Sequence, residues 1–426
     1  MGPILAPVTA LLAGVAFLLA GHGLQLTLLP IRANLEGFTA FQLGALGSAY
    51  YVGFVAGCLA GPYLILRAGH IRAFAAAVSL ASVMALAHAL LIGVLPWIVF
   101  RAITGACLAT LYLIIESWLN DRATNETRGF IMSAYIVVNF AMLTVGQLMV
   151  TLYDPMRFPL FAIASLTISL ATIPVALTRS AQPAPIALVR FRPAALYRAS
   201  PVGIVGVSVI GVAHGAFWAL GAIYALSRGL TANEAAVFMS CAVIGGAIAQ
   251  WPAGRLSDRI DRRIVLVVLL GLAVVFGIAL SFVPADRNAL LILGFLLGAS
   301  MLPSYSIAAA HAYDHADRAD YVETAAGVLL ANGVGSIIGP MIAAGLMAAF
   351  GGWSLFLFTA AAQLALIGFV LGRLRVRAPL PTEEKTGFDL AATAPVGAVI
   401  SPEPLDPADP NVGIPAPPPP PEEKAA

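Results

Sequence analysis

Residues 201–226 read PVGIVGVSVIGVAHGAFWALGAIYAL, a run without one Asp, Glu, Lys or Arg. A bilayer core about 30 Å thick is crossed by about 20 helical residues at about 1.5 Å each, so this run is long enough to span it. Midway along it stands Ala213-His214-Gly215. A step of 192 residues towards the N-terminus lands on Gly21-His22-Gly23, in the middle of another apolar run at 5–31. One stretch therefore points both to a membrane and to a duplication.

The composition agrees. Of 426 residues 60% are hydrophobic and 10% charged, and the mean hydropathy is +0.91. Soluble domains are about 45–50% apolar and about 25% charged, and a water-soluble core cannot hide so large an apolar share. Runs able to span fall at 5–31, 41–66, 71–93, 97–119, 129–152, 158–178, 201–226, 233–255, 263–283, 289–312, 322–349 and 353–373. The first run lacks a basic leader and is too long for a cleaved signal, so it is expected to remain as a helix.

With the N-terminus inside, the inner connections hold sixteen arginines and the outer ones four, a strong positive-inside bias that puts both termini in the cytoplasm. The expected organisation is a six-helix bundle over 1–178, a cytoplasmic linker over 179–200, a second six-helix bundle over 201–374, and a Pro-rich tail over 375–426. That tail is too poor in apolar residues to fold and is expected to be disordered. The duplication continues: Pro62 to Arg67 falls on Gly254 to Arg259 at an offset of 192, and Asn139 and Gly146 fall on Asn332 and Gly339 at 193. The expected fold is all-α, twelve transmembrane helices in two pseudo-symmetric bundles, a plan that secondary carriers use with their site between the repeats.

The segment Gly254-Arg-Leu-Ser-Asp258-Arg259-Ile-Asp261-Arg262-Arg263 resembles the loop motif of the major facilitator superfamily, with Asp261 where the motif has a second glycine. The first half keeps Arg67 and Gly69, but has Pro62 and Leu66 at the motif's glycine and aspartate. Arg101-Ala-Ile-Thr-Gly105 resembles the superfamily's fourth-helix motif. Ile115-Glu116-Ser117-Trp118-Leu119-Asn120 with Asn125-Glu126-Thr127-Arg128-Gly129 is similar to the YcaD-like bacterial subgroup. The resemblance covers about 5–373 and implies a carrier of the bacterial inner (plasma) membrane, without naming its substrate. Read from the residues, Gly254 permits close helix approach and Asp258 can face the N-terminus of span five. An inner gate is expected from Asp258 and Arg128, with Arg67, Gly69, Arg259, Arg262 and Arg263 around it. Arg67 or Arg72 could also meet Asp320 or Glu323. The bland reading is that these arginines only set topology.

Charges inside spans are costly and should face a cavity or a partner. Arg101 could hold an anionic group or bond helix carbonyls. Glu116, fifteen residues on and about 22 Å away along the helix, could carry a proton or join an ion-pair network with Arg122 or Arg128. His22 and Gln25 share one face of span one, and His214 and Trp218 share one face of span seven. The matched histidines are expected to meet across a central cavity, where imidazole suits a proton switch. Asn139 and Asn332 form a second matched pair, and Tyr305 and Gln250 are further wall candidates. The Tyr50-Tyr51 pair reads as packing or interface anchoring.

His311-Ala-Tyr-Asp314-His315-Ala-Asp317 has metal-like spacing but no third ligand, and is read as a solvated loop. Cys58, Cys107 and Cys241 lie in apolar runs and suggest no disulfide or metal framework. No phosphate-binding Gly-Lys-Ser/Thr, Gly-x-Ser-x-Gly or His-Glu-x-x-His occurs, and no lysine precedes Lys385. An enzyme, an ATPase, a cofactor and a metal are therefore not expected. Nor is a nucleic-acid partner, since the net charge is +2. The expected protein is a monomeric secondary carrier with a small organic solute, protons and the lipid bilayer as its partners. The alternative is a receptor or scaffold that keeps the fold without transport.

Overall fold

The structure is a computed structural model, and it describes residues 8–124, 127–178, 193–316, 321–376 and Lys385. Among these are twelve helices long and apolar enough to cross a membrane. They are α1 (Thr9–Leu35), α2 (Ala40–Ala68), α3 (His70–Leu90), α4 (Val94–Arg122), α5 (Arg128–Leu148) and α6 (Pro159–Leu170). In the second half come α7 (Pro201–Ser227), α8 (Ala232–Arg259), α9 (Arg262–Phe282), α10 (Arg287–Tyr313), α11 (Tyr321–Phe350) and α12 (Ser354–Leu374). A 3-10 turn, Met149–Leu152, extends α5, and Thr172–Ala176 carries α6 on past Ala171. A short helix, Pro193–Ala199, lies in the connection that the sequence marks as a linker. The remainder of that linker and nearly all of the Pro-rich tail lie outside the described residues.

The duplication is visible in detail. Thr39 caps α2 in a reciprocal box with Gln42, and Thr231 caps α8 the same way with Glu234, again 192 residues on. α2 packs on α4 where Gly53 meets Ala102 and Gly105 meets the Tyr50 carbonyl. α8 packs on α10 where Gly298 meets Ala242 and Gly245 meets Phe295. A methyl group at any of these four glycines would overlap the opposing backbone, so the contacts are closed to every other residue. Without a hydrophobic drive between helices in lipid, such close backbone approach is what holds a bundle together.

The helices fall into the two expected bundles, α1–α6 and α7–α12, joined mainly by α2 on α11 and α5 on α8. Cross-bundle packing is tight towards the arginine-poor end, which carries the α1–α2 and α7–α8 turns. There the Ser48 hydroxyl donates to the Ile337 carbonyl at 2.6 Å. Gly44 lies against Pro340 and Ala344, and Gly47 against Ala219 of α7. Arg32 helps to fasten this end, bonding Glu36 at 2.7 Å and the Pro155 carbonyl at 3.0 Å. Towards the arginine-rich end Arg67, Arg255, Leu256 and Arg259 are exposed.

Candidate functional site

The Gly53–Gly105 crossing presses α2 against α4 and so brings Tyr50 under Arg101. The Arg101 guanidinium carbon lies 4.5 Å from the centre of the Tyr50 ring, a cation–π contact. Tyr50 also stacks with His22 of α1, rings 5.7 Å apart and 22° from parallel, with its hydroxyl 3.4 Å from Nε2. Arg101 is 6% exposed, and one terminal nitrogen of its guanidinium has no hydrogen-bond partner within the protein. The same holds for His22 Nδ1 and for both amide atoms of buried Gln25. A small, largely enclosed cavity of about 20 Å³, room for little more than one water, lies here between the bundles, walled by Leu29, Leu46, Trp97, Arg101 and, from α7, Trp218 and Ala219. The alternative in which Arg101 bonds helix carbonyls is not what the structure has. Nor is Tyr50 mere packing, because it joins His22 to Arg101.

Farther along α4, Glu116 accepts a hydrogen bond from the Tyr135 hydroxyl at 3.1 Å and is 1% exposed. Tyr112 and Asn139 lie beside this pair, and Tyr305 of α10 is within electrostatic reach of the carboxylate from the other bundle. Arg122 of the expected ion-pair network sits by Asp121 at 3.8 Å. The side chain of Arg128 lies outside the described ones.

The second bundle uses the matched residues differently. His214 bonds the Met301 carbonyl through Nε2 at 3.0 Å, so each histidine is bonded within its own bundle rather than to its twin. Asn332 donates to the Val207 carbonyl at 2.9 Å, tying α11 to α7, whereas the Asn139 amide nitrogen has no partner. Gln250 donates to Ser306 at 2.6 Å.

The Gly254–Arg263 motif builds an ion-pair cluster at the arginine-rich end. Arg262 bonds Asp314 at 2.7 Å and Ser257 at 2.8 Å, and stands 3.3 Å from Asp258. Arg263 pairs with Asp261 at 2.7 Å. Burial pushes the Asp261 carboxyl up, but the Arg263 side-chain and backbone hydrogen bonds and its charge outweigh that and hold the pKa below the ordinary aspartate value. Asp258 lies in the last turn of α8, four residues before Arg262. Gly69 serves as the hinge between α2 and α3, at φ +80°, where other residues are strained. Asp320, named as a partner for Arg67 or Arg72, lies outside the described residues.

The structure corrects one reading outright. His311 and Asp314 are not in a solvated loop: His311 ends α10 as a buried residue, and the Asp314 side chain is 2% exposed against Arg262. The His311 and His315 rings meet edge to face, with centroids 4.5 Å apart. The charge of Arg262 is what draws Asp314 inward, and it is legible only once α9 and α10 are known to be neighbours.

Comparison with known proteins agrees with this architecture. Residues 203–407 match the Major Facilitator Superfamily family model. The chain is 27% identical over 371 residues to the MFS-type transporter YcaD of Escherichia fergusonii, covering 87% of this chain and 96% of that one. It is 28% identical over 363 residues to YcaD of Escherichia coli O139:H28, covering 83% and 92%. Among solved structures, the nucleoside transporter NupG superposes with a TM-score of 0.73 at 12% identity, over 87% of this chain and 100% of that chain. A bacterial homolog of the human lysosomal transporter Spinster gives 0.69 at 13% identity, over 89% and 97%. Twelve apolar helices in two repeated bundles, the signature at Gly254–Arg263 and relatives matched along nearly their whole length point the same way: the chain is similar to the major facilitator superfamily of multi-pass membrane transporters, and within it to the YcaD-like members.

Proposed function

We propose that this transporter is a secondary carrier that moves a small organic solute by alternating access, coupled to protons, in the inner membrane and as a monomer. The observation that carries the coupling is Glu116: a carboxylate inside a span, bonded to Tyr135 and within electrostatic reach of Tyr305 of the opposite bundle. An intramembrane carboxylate on such a boundary is the usual seat of a proton relay. His22 and His214 are the accessory titratable groups. Arg101, Gln25, Asn139, Trp218, Tyr305 and Asn332 line the solute path.

The arginine bias puts both termini in the cytoplasm, so the tightly packed end faces outward and solute reaches the path from inside. In the alternate state Asp258 exchanges Arg262 for Arg128 and closes the inner gate, with Arg67, Gly69, Gly254, Arg259 and Arg263 shaping it. The organisation follows as bundles 1–178 and 201–374, linker 179–200 and tail 375–426.

Proteoliposomes test the reading. A carrier exchanges labelled solute in counterflow, whereas a receptor or scaffold with this fold does not. Glu116→Gln should keep counterflow but cut flux driven by a pH gradient at least tenfold. Full gradient-driven flux in that variant excludes Glu116 as the coupling group. In the same vesicles, Asp258→Asn should raise cysteine labelling in the inward-facing path; unchanged labelling removes the gate.

A further inference from the structure

Among the described residues, no carboxylate pairs with Arg101. It is buried within α4 over the face of Tyr50, and one terminal nitrogen of its guanidinium has no hydrogen-bond partner within the protein. A ring face answers the guanidinium's charge above its plane and leaves the N–H donors in the plane unused. Glu116 cannot serve, being about 22 Å away along the same helix. Intramembrane charges are kept where they face a partner or a path, and Arg101 faces the cavity between the bundles.

The surroundings narrow what can fill that role. The wall is aliphatic and aromatic, with Leu29 and Leu46 from one bundle, Trp97 beside Arg101 and Trp218 from the other. Gln25 lies one helical turn from Leu29 on the same face of α1, with its amide oxygen and nitrogen both unbonded. One guanidinium fork matches one carboxylate through two parallel hydrogen bonds. A phosphate or dicarboxylate brings a further charge, and Arg101 is the one charged residue among those that line the cavity. The indoles favour an apolar or aromatic body.

We infer that, once the bundles part and widen this cavity, Arg101 receives the carboxylate of a monoanionic organic acid with an apolar body, held between Trp97 and Trp218, and that such acids are the solute class. This rests on the carrier reading above and specifies its substrate.

Purified full-length protein in detergent, titrated at fixed ionic strength, tests the inference through indole fluorescence. The probes are benzoate, phenylacetate and hexanoate, each beside its own primary amide. The acids should bind at least tenfold more tightly than the amides. Arg101→Gln should bring acid and amide within twofold, and Arg101→Lys, which keeps the charge without the fork, should fall between. Equal binding of acid and amide by the unaltered protein overturns the inference, as does unaltered acid binding in Arg101→Gln. Should Arg101→Gln not fold, the acid–amide comparison on the unaltered protein decides alone. Counterflow separates the two levels. Exchange of neutral solutes without acids removes the substrate class and leaves the carrier. Acid binding without exchange of any solute removes the carrier and leaves the site.

Discussion

The two bundles share a skeleton and differ in where they keep their charges. At offsets of 192 and 193 the packing glycines coincide: Gly53 with Gly245, Gly105 with Gly298, Gly146 with Gly339. The side chains of the proposed site do not. Arg101 corresponds to Gly294, Glu116 to Ala309, Tyr50 to Ala242 and Gln25 to Phe217. Conversely, the Arg262–Asp314 pair of the second bundle corresponds to His70 and Asp121, and Asp258 corresponds to Leu66. Helix crossings are therefore a requirement of the fold in both copies, because each needs backbone against backbone. Charge is not required by the fold. The first bundle holds it deep in the spans, and the second holds it at the arginine-rich end.

The contrast can be broken at that end. Arg262→Ala removes the guanidinium from buried Asp314 and should cost about 3–5 kcal/mol, the scale for opening a buried pair, read as a fall in thermal stability in detergent. His70 stands at the matching place and is bonded to Ser117 at 3.3 Å. His70→Ala should cost about 1 kcal/mol, the loss of one neutral hydrogen bond. Equal losses would mean that the second-bundle cluster is solvated ornament rather than a structural tie.

The shared skeleton makes the opposite forecast. Gly105→Val and Gly298→Val each drive a side chain into a facing backbone carbonyl, of Tyr50 and of Ala242 respectively. Each should destabilise by about 1–3 kcal/mol or more, as overpacking does, and by similar amounts. A large loss in one copy alone would show that only one crossing is essential.

What was legible in the sequence follows the same division. The twelve spans could be read because length and apolarity are local properties, and the structure moves their ends by only a few residues: 5–31 becomes Thr9–Leu35. The repeat was legible because close-packing glycines cannot be replaced without clash. Arg101 and Glu116 stood out because charge in a span is costly. Tyr50 was passed over, since an aromatic residue in an apolar helix looks like packing; the Gly53–Gly105 crossing was the signal that α2 lies beside Arg101. Asp314 was missed because burial of a carboxylate depends on a partner 52 residues away in the chain. The histidines were matched by position, but which carbonyl or phenol each bonds depends on neighbours that the repeat does not conserve.

The smallest difference between the bundles is at the α2–α3 and α8–α9 hinges, where Gly69 corresponds to Asp261. Gly69 provides a positive φ, while Asp261 caps α9, accepting from the Arg263 backbone at 2.9 Å, and pairs with its side chain. The folded state holds the Asp261 pKa below the ordinary value of about 3.9. A group depressed in this way stabilises the fold fully above its unfolded pKa and loses that contribution as pH falls through the folded one. Thermal stability followed downward from pH 6 should therefore decline below about pH 4 by an increment of about 1 kcal/mol or less, since the pair is partly exposed. Asp261→Asn should remove that increment while keeping an N-cap. Were the acid decline the same in Asp261→Asn, Arg263 would stabilise the hinge through packing alone, and the two hinges would be equivalent after all.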